Sequence, residues 1–70
     1  MTVREAQNGI RDMFLSRHYN GRVPKKDIKI ILNSSRWDKF YGKGNTSIAW
    51  KTLLGEHAHK DGKYYVWELR

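Results

Sequence analysis

The sequence predicts an α+β fold, with helices first and a β-hairpin last. Two observations carry this. Up to Leu54 the apolar residues recur at spacings of three and four, the period of helices that bury one face. From Glu56 onward the period changes to two, centred on Asp61-Gly62, a pair that favours tight hairpin turns. At 70 residues the chain makes one domain, residues 1–70, with a small core. It has no cysteine, so neither a disulfide nor a thiolate metal site can contribute. The 39% hydrophobic residues must form the core alone.

Thr2-Val3-Arg4-Glu5 fits a capping box, with Thr2 as N-cap and Glu5 at the third helical position. Val3, Ala6, Ile10, Met13 and Phe14 follow at helical spacing, and the first helix is expected from Val3 to near Arg17. Gly9 inside it costs roughly 1 kcal/mol relative to Ala. Tyr19-Asn20-Gly21 is turn chemistry. Arg22-Val23 is expected to be extended, because the residue before a proline is pushed toward β geometry. Pro24 suits the first turn of a second helix ending near Asn33. Ile28, Ile31 and Leu32 form its buried stripe, and Lys25, Lys26 and Lys29 gather on the opposite side.

Ser34-Ser35 interrupts the pattern. Trp37, Phe40 and Tyr41 stand at i, i+3 and i+4, which predicts a single helical turn packed on the core. Gly42-Lys43-Gly44 reads as a flexible link, and Asn45 or Thr46 as the cap of a third main helix. That helix is expected to run to near Leu54, with Gly55 as its stop. Ala49 and Leu53 lie at its buried centre, Ile48, Trp50 and Thr52 flank them, and Ser47 and Lys51 point away. A two-residue turn at Asp61-Gly62 pairs Lys60 with Lys63, His59 with Tyr64 and Ala58 with Tyr65. Tyr65, Trp67 and Leu69 then share the core side with Ala58, and Tyr64 and Val66 share the other.

The charge is strongly unbalanced: 14 Lys+Arg against 7 Asp+Glu, a net +7. Residues 1–35 carry +4 and residues 36–70 carry +3, with no block of like charge and no low-complexity segment. Aromatics number nine, too many for disorder at this length, so the charge belongs to a folded surface. No apolar run is long enough to span a membrane, and Met1 to Ile10 lacks the pattern of a signal peptide. The expectation is a soluble protein without membrane contact, cytoplasmic or nucleoid-associated, or nuclear in a eukaryote. Its partner is a polyanion, nucleic acid first.

Helix, short extended piece, helix, helix, hairpin is an order that resembles the winged helix-turn-helix domains, from Thr2 to Leu69. The resemblance lies in the order of elements rather than in signature residues. It implies a DNA-binding domain whose third main helix enters the major groove while the hairpin acts as a wing. The connector from Ser34 to Gly44 is longer than the tight turn of simple helix-turn-helix proteins, and the third main helix is short.

Lys25 and Lys26 fall in the first turn of a helix, where the macrodipole disfavours cations by about 0.3–1 kcal/mol each. An anion at that helix end would reverse the penalty, and Lys29 extends the same face. The resemblance places a DNA phosphate there; the plainer alternative is solvated surface lysines. Ser47 and Lys51 are the candidates for base edges in the major groove. Lys43, Asn45 and Thr46 would meet the backbone or groove edge, or Asn45 and Thr46 merely cap the helix. Lys60 and Lys63 face each other across the predicted turn, a mildly destabilising pair that a wing straddling phosphates would offset. The alternative is a strand edge guarded by lysines.

Arg36 and Lys39, with Lys43, surround the aromatic turn, a pattern shared with single-strand binders that stack bases on exposed rings. Rings at this spacing are otherwise core. His57 and His59 have a spacing that could hold a metal, but only His18 stands elsewhere, and surface histidines are the simpler account. No nucleophile–base pair, carboxylate pair or phosphate-binding glycine loop is present, so no enzyme, cofactor, metal or small-molecule substrate is expected. The sequence therefore points to duplex DNA binding, in transcriptional regulation or in targeting a DNA-processing protein. The rivals are RNA or single-strand binding through Trp37, Tyr41 and Tyr64, and a protein-interaction module with an acidic partner.

Overall fold

The computed structural model describes residues 2–68 and has an α+β architecture. The order is α1 (Val3–Phe14), β1 (Arg22–Pro24), α2 (Lys25–Leu32), α3 (Ser35–Tyr41), α4 (Asn45–Leu53), β2 (Ala58–Asp61) and β3 (Tyr64–Trp67). Helices thus precede a C-terminal hairpin, as the sequence predicts, and the helical turn expected between the second and third main helices is the short helix α3. The antiparallel sheet has the order β1-β3-β2. Among the described residues no helix is long and apolar enough to cross a membrane.

Thr2 caps α1 by accepting the Glu5 N–H at 3.2 Å. The helix stops at Phe14, three residues before Arg17, because the Ser16 hydroxyl bonds back to the Met13 carbonyl at 2.7 Å. Gly9 sits mid-helix for a reason the sequence does not display. A Cβ there would collide with the Tyr41 hydroxyl, so glycine lets the α3 ring lie directly on α1. Arg22–Pro24 is a true strand, and Pro24 becomes the N-cap of α2 rather than its first residue. The aromatic turn is a helix of 7 residues, capped by Ser34 accepting the Trp37 N–H.

The core gathers Ala6, Ile10 and Phe14 of α1, Val23 of β1, Ile28 and Ile31 of α2, Ala49, Trp50 and Leu53 of α4, with Ala58 and Trp67 of the hairpin. Phe14 stands at its centre, stacked on Trp50 at 5.9 Å and tilted against Trp67 at 5.3 Å. The α1–α4 pair and the sheet therefore share one aromatic junction.

The hairpin register differs from expectation by a two-residue slip. Asp61 pairs with Tyr64, Lys60 with Tyr65, His59 with Val66 and Ala58 with Trp67. The turn is Gly62-Lys63, with positive φ at Gly62 (61°) only, the type II′ arrangement in place of type I′. The physical reason is local: a type II′ turn needs glycine at its first central position, and Gly62 meets that need when the loop is Gly62-Lys63. A slip of two preserves sidedness, and Ala58, Tyr65 and Trp67 share the core-facing side as expected. Leu69, expected on that side too, lies outside the described residues.

Candidate nucleic-acid interface

The start of α2 and the tip of the hairpin are brought together. The Lys25 N–H donates to the Lys63 carbonyl at 2.9 Å, tying the first residue of α2 to the turn. A cleft of about 500 Å³ between them is lined by Pro24, Lys25, Lys26, Gly62, Lys63 and Tyr64. Beside it a second cleft is lined by His18, Tyr19, Arg22, Pro24, Lys26, Asp27 and Tyr64. Pro24, Lys26 and Tyr64 line both, so the two form one basic trough along the outer sheet edge. The Arg22 guanidinium lies over the Tyr64 ring at 4.7 Å, holding a cation at the trough by cation–π attraction.

Two carboxylates stand near these cations. Tyr19 donates its hydroxyl to the Asp27 carboxylate at 2.8 Å. That hydrogen bond, with burial and the carboxylate charge, raises the Tyr19 phenol above its usual pKa. Asp61 pairs with Tyr64 but lies exposed. Among the described residues the ion pairs are Arg11–Asp12 and His59–Glu68, so none of the candidate lysines is committed to an internal carboxylate.

On the core-facing side of the sheet, the Lys25 ammonium lies 5.7 Å from the centre of the Tyr65 ring. Lys60 is Tyr65's cross-strand neighbour, and Tyr65 meets Trp50 of α4 edge-on at 4.8 Å. This aromatic pair links the basic segments to the last helix. Ser47 stands one turn before both Trp50 and Lys51, so the Ser47–Lys51 row borders the same junction. Lys51 is exposed and Ser47 half-buried; Lys29, one turn along α2 from Lys25, is exposed.

Several expectations are corrected here. Lys60 and Lys63 do not face each other: Lys60 opposes Tyr65, and Lys63 lies in the turn. The like-charge pair is absent, although both lysines remain exposed near the tip. Thr46 is 1% exposed, inside the core, and cannot offer its side chain to a ligand. Neither Asn45 nor Thr46 caps α4; Gly44 does, in the left-handed region and with no side-chain bond. Asn45 instead turns its amide back onto the Tyr41 carbonyl at 2.8 Å, closing the end of α3. Ile48, expected beside the core, is 53% exposed.

Arg36, Lys39 and Lys43 are exposed but belong to α3 and its link, and none of them lines the trough. Trp37 and Tyr41 pack against the core, their rings 5.2 Å apart. Phe40, expected to join them there, is 59% exposed, and with Arg36, Trp37 and Tyr41 it lines a shallow apolar cleft. Trp50 and Trp67 are both core residues. His57 stacks on Trp67 while His59 approaches Glu68, so the two histidines share no site. Among the described residues no group of three acidic or histidine side chains could hold a metal ion.

Arg22 and Tyr64 are the trough residues missing from the sequence-based set. The alternation of β1 and β3 would have placed them on one outer face, had Arg22–Pro24 been read as a third strand. Comparison with models of protein families, with curated proteins and with solved structures finds no match for the chain.

Proposed function

We propose that this chain is a winged-helix module that binds double-stranded DNA, in transcriptional regulation or as the targeting module of a DNA-processing protein. The observation that carries it is the convergence of two basic segments distant in sequence. The start of α2 and the hairpin tip meet through the Lys25–Lys63 bond and a shared cleft, with cations that have no carboxylate ion-pair partner among the described residues. The sheet order β1-β3-β2 and the hairpin following the last helix support the resemblance in layout. Lys25, Lys26 and Lys29, joined by Arg22, meet one run of phosphates, and Lys60 and Lys63 meet the other as a wing. The outward row of α4, with Ser47 and Lys51, faces base edges in the major groove, which admits an α-helix. Lys43 stands at the groove edge. The role is binding rather than catalysis, without a cofactor.

If five to seven phosphates are neutralised, log affinity falls against log salt with a slope of about −5 to −6. Fluorescence anisotropy on a labelled duplex over a series of salt concentrations measures this. A slope near zero refutes duplex binding.

A second reading is favoured by one observation. Phe40 is exposed beside half-buried Trp37 and Tyr41, and Tyr64 is exposed under Arg22, an arrangement that suits base stacking in RNA or single-stranded DNA. Quenching of tryptophan fluorescence by oligo(dT), tighter than by duplex, would select it. An acidic protein partner draws less support, because Trp50 and Trp67 lie in the core instead of forming a surface groove.

A further inference from the structure

On the outward side of α4, Ile48 is the one large apolar residue, 53% exposed between half-buried Ser47 and exposed Lys51 and Thr52. Thr46, Ala49, Trp50 and Leu53 take the buried face, at the i, i+3, i+4, i+7 spacing of one helical stripe. Ile48 lies opposite that stripe, at the centre of the side turned outward. The Thr52 hydroxyl bends back to the Ile48 carbonyl at 3.1 Å, so this neighbour's polar group is turned onto the helix. A lone exposed isoleucine needs no explanation by itself. Its place does, because it occupies the middle of the row that faces base edges under the proposed function.

Major-groove edges present hydrogen-bond donors and acceptors at every base pair but only one apolar group, the C5-methyl of thymine. We infer that Ile48 reads a thymine methyl, and that it makes this chain select a thymine at one or two fixed positions of its duplex site. The assignment rests on duplex binding with α4 in the major groove. Lys51, one turn further along, would donate to an acceptor on a neighbouring base and fix the register.

The experiment starts from a duplex selected by the wild-type chain out of random sequence. Each thymine is then replaced in turn by deoxyuridine, which removes the methyl group and nothing else, and affinities are read by anisotropy. At one or two positions the replacement should weaken wild-type binding about fourfold, the value of one buried methyl-sized group. Ile48→Ala should bind the thymine duplex more weakly and no longer distinguish thymine from deoxyuridine there. Ile48→Val should retain part of the discrimination. Because Ile48 is exposed, the variants are expected to fold, which circular dichroism checks. Salt-dependent duplex binding with no deoxyuridine effect, or discrimination that survives Ile48→Ala, overturns the role of Ile48 alone. Absence of salt-dependent binding to any duplex overturns the duplex reading itself, and this inference with it.

Discussion

Replacing Gly9 with alanine sets two effects of known size against each other. Mid-helix glycine is about 1 kcal/mol worse than alanine, so on propensity alone Gly9→Ala stabilises α1. The structure gives the opposite sign. The new Cβ would stand where the Tyr41 hydroxyl lies. That ring cannot retreat freely, being packed on the core, on Trp37 at 5.2 Å and on Phe40 at 4.8 Å. Overfilling such a contact costs about 1–3 kcal/mol, so the net expectation is a loss of about 1 kcal/mol. Tyr41→Leu keeps an apolar side chain but removes the far end of the ring. In that background Gly9→Ala should become stabilising by about 1 kcal/mol, a coupling of about 2 kcal/mol between the two positions. Urea unfolding of the four proteins, followed by tryptophan fluorescence, measures the cycle. If Gly9→Ala stabilises equally in both backgrounds, α3 does not rest on α1 at Gly9 and the packing argument fails.

Three further outcomes follow from the placement of single side chains. Lys26→Ala with Lys63→Ala should lower the salt slope of duplex binding by about 2, whereas Arg4→Ala with Arg11→Ala on α1 should leave it unchanged; equal effects would dissolve the proposed face. Thr46→Val should raise stability by about 1 kcal/mol and leave affinity alone, because the buried Thr46 hydroxyl has no hydrogen-bond partner among the described residues; weaker DNA binding by a normally folded Thr46→Val protein would contradict its burial. Tyr19→Phe should cost about 1 kcal/mol at neutral pH by removing the hydrogen bond to Asp27. The Tyr19 pKa is raised in the folded state, so its stabilisation is complete below the ordinary phenol value near 10 and fades as pH rises through the raised one. Urea titrations of both proteins at pH 7 and above pH 10 check that the difference narrows.

Much of the fold was legible because local periodicity carries it. The apolar spacing of α1 and α2 and the switch to period two after Gly55 come directly from neighbouring residues. Pro24 predicts the extended backbone of Arg22-Val23, but local pattern does not supply its pairing with β3 far along the chain, which makes it a strand. The turn position is ambiguous in the sequence for a different reason: Asp61-Gly62 suits one turn type and Gly62-Lys63 another, and a slip of two leaves every side chain on the same face. The face of α4 was legible in part. Thr46, Ala49, Trp50 and Leu53 make a clean helical stripe once threonine is allowed inside. Ala49 and Leu53 are buried and Lys51 is exposed as the sequence predicts, but Thr46 joins the buried stripe and Ile48, expected to flank it, joins the outward side. At the trough, lysines at the start of α2 and at the turn were readable as cations, but their meeting was not. It depends on a backbone bond from Lys25 to Lys63, which no side-chain pattern encodes.

That meeting gives one set of residues two opposite responses to salt. Arg22, Lys25, Lys26 and Lys63 share a trough on a chain of net charge +7, and none has an ion-pair partner among the described residues. Their mutual repulsion opposes folding in a domain that has no disulfide to spare. Raising ionic strength shortens the Debye length to about 8 Å at 0.15 M, which screens the repulsion and stabilises the free chain. On the proposed duplex binding, the same ions would compete with the protein for phosphates, so affinity would fall over the same range. A bound polyanion should do what salt does for the fold, and do it more strongly, because its charges are held against the trough. On the proposed function, phosphates would compensate from outside the cations that lack an ion-pair partner among the described residues, and the repulsion relieved in the free chain would add to the affinity.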